Sequence, residues 1–178
     1  PDARRWRQRY EDEVESVLGT AAEQLAAARF AVSGTATYPD ATFTLRLAYG
    51  EVAGWREGDR EVAPFTDVAG LYRRATGAAP FVLPPSWTTR QRELDGSPRL
   101  NFVTTADIIG GNSGSAVLDA RGRVVGLIFD GNIHSLGGDY WFDAAKNRSV
   151  ALHPAAILLA LEQVYGAAAL RAELAVDP

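Results

Sequence analysis

Ser113 sits in Ile108-Ile109-Gly110-Gly111-Asn112-Ser113-Gly114-Ser115, a serine with glycine close on both sides. Glycine permits turns too tight for a Cβ, and a serine presented on such a turn can act as a nucleophile once a base takes its proton. The same turn aims the N–H groups of Gly111 and Ser113 at one spot, where they would hold an oxyanion. A nucleophilic hydroxyl and an oxyanion site are the parts that acyl transfer requires. An ordinary Gly/Ser-rich loop uses the same letters, so the flanking elements must decide.

Those elements read as strands. Leu100 to Thr104 is a short β-run into the turn, Ser115 to Leu118 leads out of it, and Asp119-Ala120-Arg121-Gly122 is a turn signal before the apolar run Arg123 to Phe129. This order predicts a nucleophile on an antiparallel sheet, not the strand-turn-helix elbow of an α/β-hydrolase. Phe129-Asp130-Gly131 ends the last run and would form a cleft wall, its carboxylate able to pair with a peptide ammonium; an Asp-Gly turn is the plainer reading.

Around this centre, residues 2 to 30 keep Trp6, Tyr10, Val14, Val17, Leu18 and Leu25 at helical spacing, with Gly19-Thr20 predicted to break the run into two helices. At Tyr38-Pro39-Asp40 the period changes to two: Phe43, Leu45, Leu47 and Tyr49 alternate with Thr42, Thr44, Arg46 and Ala48, the clearest strand pattern in the chain. Shorter strand candidates, Glu51 to Arg56 and Glu61 to Phe65, flank Gly58-Asp59, and Val68 to Thr76 reads as a helix. Pro80 to Asp95 is a connection, Gly131 to Asp139 a loop and Asn147 to Leu152 a final strand. His153-Pro154 opens an apolar helix, and a short closing helix follows from Ala167.

A chain of 178 residues can bury a real core, and its formal charge of −4 with scattered basic residues predicts no nucleic-acid partner. No run approaches a membrane span, and no signal pattern is present, so the expectation is a chain without membrane partners. With no cysteine there is neither a disulfide framework nor a thiolate metal site, and composition leaves the compartment open.

Three ordered blocks resemble the dipeptidyl-peptidase 7/11 family of bacterial serine exopeptidases: Tyr38-Pro39-Asp40-Ala41-Thr42-Phe43-Thr44-Leu45-Arg46-Leu47-Ala48-Tyr49-Gly50, Asp107 to Ser115, and Gly126-Leu127-Ile128-Phe129-Asp130-Gly131-Asn132. Ala116 departs from the proline expected there. The resemblance implies an all-β fold with flanking helices. Residues 1–32 would be the end of a helical cap region, and residues 33–178 a trypsin-like six-stranded β-barrel, the second of two, closed by C-terminal helices. It implies Ser113 as nucleophile with Gly111 in the oxyanion hole, and Asp130, Gly131 and Phe129 as substrate-binding residues. Asp130 would hold the peptide amine, and glycine at 131 would leave room for an apolar side chain where arginine would select acidic ones. Neither metal nor organic cofactor is implied. The partners are oligopeptides with a free N-terminus, and the location is the periplasm or exterior of a Gram-negative bacterium.

In such peptidases the catalytic histidine and aspartate lie in the first barrel, ahead of the whole of this sequence. Only His134, in a glycine-rich loop, and His153, at a helix start, are present, and no aspartate is placed to orient either. The chain therefore reads as the nucleophile-bearing fragment of a peptidase, inactive alone. Either it self-associates through the face that the missing N-terminal barrel would meet, or a rearranged N-terminal helix covers that face. Two other readings stay open: a non-catalytic peptide-binding module on a trypsin-like barrel, and a complete peptidase using His134 as base. Asn112 reads as a turn residue, and Asp107 as a structural hydrogen-bonding residue before the nucleophile.

Overall fold

The computed structural model describes residues 2–34, 45–138 and 140–174, and divides into two compact units, one through Arg46 and one from Leu47. The first unit is a helical run: α1 (Asp2–Tyr10), a π-helical segment (Glu11–Glu15) and α2 (Ser16–Ser33). The run passes through Gly19 and Thr20 instead of breaking there. Thr20 Oγ1 donates to Ser16 O at 2.9 Å, and a helical glycine costs only about 1 kcal/mol, less than a break would lose. The irregularity falls one turn earlier, at Glu11–Glu15, among three acidic side chains in its first turn.

In the second unit, β1 (Trp55–Glu57) and β2 (Arg60–Val62) make a hairpin around the turn glycine Gly58, whose φ is +59°. Next come β3 (Phe65–Asp67), α3 (Val68–Arg74), the short α4 (Pro85–Thr88), β4 (Arg99–Thr104), β5 (Ala116–Leu118) and β6 (Val124–Gly131). A 3-10 turn (Ile133–Gly137) leads toward β7 (Ser149–Leu152), α5 (Pro154–Leu159) and α6 (Ala168–Leu174). Strands β4, β5, β6 and β7 fall where the apolar runs predict them. His153 is the N-cap of α5, its Nδ1 accepting from Ala155 N at 3.1 Å.

Five strands form one antiparallel sheet in the order β3-β4-β7-β6-β5. One face carries the core of Phe102, Ile128 and Ala151, with Phe65, Ile108, Val117 and Val125 packed against it. A closed six-stranded barrel is not found among the described residues. The sheet ends at β3 and β5, and the alternating segment supplies no strand in its described part: Leu45 to Gly50 have no regular structure, and Leu45, Leu47 and Tyr49 are exposed. Residues 38–44 of that pattern lie outside the described residues. Backbone pairing at this point comes instead from Val52 bridging Thr104 and from Thr105 N donating to Glu51 O at 3.0 Å.

Candidate active site

The nucleophile candidate lies between β4 and β5 in a turn assembled almost wholly from its own residues. Asn112 clasps Ile109 from both sides: its N donates to Ile109 O at 3.1 Å, and its Oδ1 accepts from Ile109 N at 3.0 Å. Gly111 and Gly114 adopt φ of +99° and +85°, left-handed conformations that favour glycine. Ser113, between them, is exposed, and its hydroxyl makes no hydrogen bond among the described residues. The Gly111 and Ser113 N–H groups also have no internal partner among the described residues. Asp107 is half-buried without a hydrogen bond among the described residues, so the structural bonding expected of it is not formed.

Two hydrogen bonds join this turn to β6: Gly114 N to Ile128 O at 2.7 Å and Ile128 N to Ser115 O at 3.0 Å. One residue further on, β6 bulges. Ile128 pairs with Ala151 and Asp130 with Val150, so Phe129 is the extra residue and stands 48% exposed. The bulge places Phe129, Asp130 and Gly131 consecutively beyond the nucleophile turn. Asp130 is exposed, one carboxylate oxygen accepting from Gly131 N at 2.8 Å. A carboxylate has acceptor sites left over for a cation after one such bond.

Support for this strip comes from residues that the sequence did not mark. Asn132 N donates to Arg148 O at 2.9 Å, Asn132 Oδ1 accepts from Arg148 N at 3.1 Å, and Asn132 Nδ2 donates to Lys146 O at 2.7 Å. The Arg148 side chain, in a residue only 6% exposed, donates to five backbone carbonyls: Ala53, Gly54, Ala144, Ala145 and Asn147. No carboxylate pairs with it among the described residues, so carbonyl dipoles alone hold a buried cation. Sequence gives no sign of this, because an arginine ahead of a strand reads as a solvated one.

His134, in the 3-10 turn after β6, donates from Nε2 to Glu57 Oε2 at 2.6 Å, and Trp55 Nε1 donates to the same oxygen at 3.0 Å. The His134 bond first, and the Trp55 bond second, hold the Glu57 carboxyl below its usual range. Where the sequence offers no aspartate to orient His134, a glutamate from the hairpin 77 residues earlier is bonded to it. His153 faces Phe102 edge-on at 6.1 Å and caps α5; burial, then Arg99, pushes its pKa down. Neither histidine is hydrogen-bonded to Ser113 among the described residues. The same residues contain no cluster of three or more His, Asp or Glu able to hold a metal ion, and no helix long and apolar enough to cross a membrane.

Residues 1–176 match the family described as Peptidase S46. Dipeptidyl-peptidase 7 of Capnocytophaga gingivalis is 33% identical over 145 residues, covering 73% of this chain and 20% of the relative. The Asp/Glu-specific dipeptidyl-peptidase of Shewanella putrefaciens is 30% identical, covering 71% and 22%. Among solved structures, Porphyromonas endodontalis DPP11 in complex with the dipeptide Arg-Asp superposes with a TM-score of 0.74 at 29% identity, over 84% of this chain and 23% of that one. The chain thus spans about a fifth of the length of the curated relatives it matches.

Proposed function

The chain belongs to the peptidase S46 family, and from that premise we propose that it is the nucleophile-bearing part of a serine dipeptidyl peptidase, releasing dipeptides from the free N-terminus of oligopeptides. The observation that carries this reading is the exposed Ser113, its hydroxyl and the neighbouring N–H groups without partners among the described residues, on a turn hydrogen-bonded to the strand that carries Asp130. Ser113 Oγ attacks the scissile carbonyl, and the N–H groups of Gly111 and Ser113 stabilise the oxyanion. A histidine from outside this chain, oriented by an aspartate, takes the Ser113 proton and delivers it to the leaving amine as the peptide C–N bond breaks, and water then hydrolyses the acyl-enzyme; the isolated chain, lacking that histidine, is inactive. His134 has no hydrogen bond to Ser113 among the described residues, its Nε2 facing Glu57 instead.

Asp130 anchors the peptide ammonium, which restricts cleavage to the second bond from the N-terminus, and Phe129 and Gly131 line the adjacent cleft. The preferred residue before the cut is apolar. Four relatives are Asp/Glu-specific dipeptidyl-peptidases, but an acidic preference here would need a free cation beside Gly131, and the Arg148 guanidinium is committed to carbonyls. In the complete fold the sheet closes as a six-stranded trypsin-like barrel over residues 33–178, with residues 1–32 ending a helical cap, and the enzyme works in the periplasm or outside the cell.

The test uses the full-length enzyme that carries this chain, with free-amine and N-acetylated peptides of one sequence. Dipeptides should leave only the free-amine peptide. Ser113→Ala should lower kcat by about 10⁶, the scale on which serine peptidases lose rate without their nucleophile. Asp130→Ala should raise KM for free-amine peptides roughly tenfold or more, leaving the preferred side chain unchanged. Equal cleavage of the acetylated peptide would overturn the exopeptidase reading.

A further inference from the structure

Position 131 is glycine for reasons of space, not of backbone conformation. Several glycines of the chain, Gly111 and Gly114 among them, have φ between +59° and +99°, and Gly131 is not one of them. Any L-residue could therefore adopt its backbone. A Cβ built on Gly131 would lie 2.8 Å from Ser135 Cβ and closer still to Ser135 Oγ, with Arg148 O at 3.7 Å. Turning the serine hydroxyl away would relieve only the Oγ contact, because the Ser135 Cβ is placed by the backbone of the 3-10 turn.

That backbone is pinned. Ser135 N donates to Asn132 O at 2.9 Å and Ser135 Oγ to the same oxygen at 2.7 Å. Asn132 is in turn held to Arg148 through both its backbone N and its side-chain oxygen. We propose that Ser135 is a specificity-determining residue: it fills the space that a side chain at 131 would need, so the wall beside Asp130 presents bare backbone and no charge. This rests on the reading of Asp130-Gly131 as the peptide-binding wall. A change to acidic selectivity then takes two substitutions, Gly131→Arg to bring a guanidinium and Ser135→Gly to admit it.

Two measurements test it. In thermal denaturation, Gly131→Ala alone should lower Tm, and the same substitution in a Ser135→Gly background should lower it by much less. In the full-length enzyme, Gly131→Arg alone should depress kcat/KM for acidic and apolar dipeptide substrates together. Gly131→Arg with Ser135→Gly should raise the acidic-to-apolar ratio by at least about 100-fold over Ser135→Gly alone. A Gly131→Ala penalty that ignores Ser135, or a ratio shifted as far by Gly131→Arg alone, would overturn the role of Ser135. If the Tm coupling holds and the double variant keeps the parental preference, the wall has been placed wrongly and the specificity role falls with it. A full-length wild type that releases no dipeptide overturns the peptidase reading itself, a failure told apart by a Tm coupling that persists without activity.

Discussion

The nucleophile turn and the Asp130 wall touch through two backbone hydrogen bonds to Ile128, yet they are held by opposite means. In the turn, the bonds Ile109 to Asn112 and Asn112 to Ser115 each span three residues, and the rest is left-handed glycine. In the wall, the bonds reach from Asn132 to Arg148, 16 residues on, and from Arg148 back to Ala53 and Gly54, 95 and 94 residues away. On the proposed reading, a reactive turn is written into one short stretch of chain, whereas a binding surface that must not shift is braced from several elements at once.

If that contrast holds, the largest effect on stability should come from Arg148. Arg148→Leu leaves five backbone carbonyls facing a buried apolar side chain; each orphaned polar group costs about 1–3 kcal/mol, though relaxation and water would recover part. The net loss should be roughly 3 kcal/mol or more, a fall in Tm of about 6–12 °C for a protein of this size. Arg148→Lys keeps the charge but not the planar fork, and should fall between the two. A Tm for Arg148→Leu within about 2 °C of wild type would mean that the wall is as locally built as the turn.

The same contrast explains what could be read from the sequence. Ser113 with Gly111 and Gly114, the strands of the apolar runs and the cap at His153-Pro154 were legible, because each depends on a neighbour a few residues away. Phe129-Asp130-Gly131 was legible as a strip but not as a bulge, since the extra residue exists only relative to β7. Arg148, Asn132, Ser135 and Glu57 were silent: their partners are brought to them by the fold. The misplaced helix break came from weighing one glycine against a side-chain bond to Ser16 that sequence does not display. The closed barrel was inferred from a family pattern, and Leu45 to Tyr49, the described part of its strongest strand signal, has no partner strand among the described residues.

On the turn's side, Gly114→Ala separates conformation from packing. A Cβ at Gly114 would meet nothing within 4 Å, so the whole penalty is that of φ +85°, on the order of 1–2 kcal/mol. In the full-length enzyme this should lower kcat and leave KM for free-amine peptides within roughly twofold, because the strain falls on the nucleophile and not on the wall. A change in KM as large as that in kcat would show that the two regions move together through Ile128.

The smallest effect, and the one that asks whether the hairpin also braces the wall, is at Glu57. Its carboxyl is held below its usual pKa by His134 and then Trp55, so the unfolded chain takes up a proton more readily than the folded one as the pH drops. The stabilisation from this tie is therefore complete above the unfolded value of about 4.3 and is lost as pH falls through the lower folded value. Asp95 and Asp119 are also held low, by Ser97 and Arg123 respectively, but they are common to both proteins and cancel in a difference. Glu57→Ala should thus lower Tm by a small amount at neutral pH, with the gap closing below about pH 4. Glu57 is exposed and His134 partly so, and the gap should therefore also shrink in high salt. A gap still open at about pH 3 would mean that the Glu57 carboxylate is not the sensitive group, and a gap absent throughout would leave Arg148 as the brace between hairpin and wall.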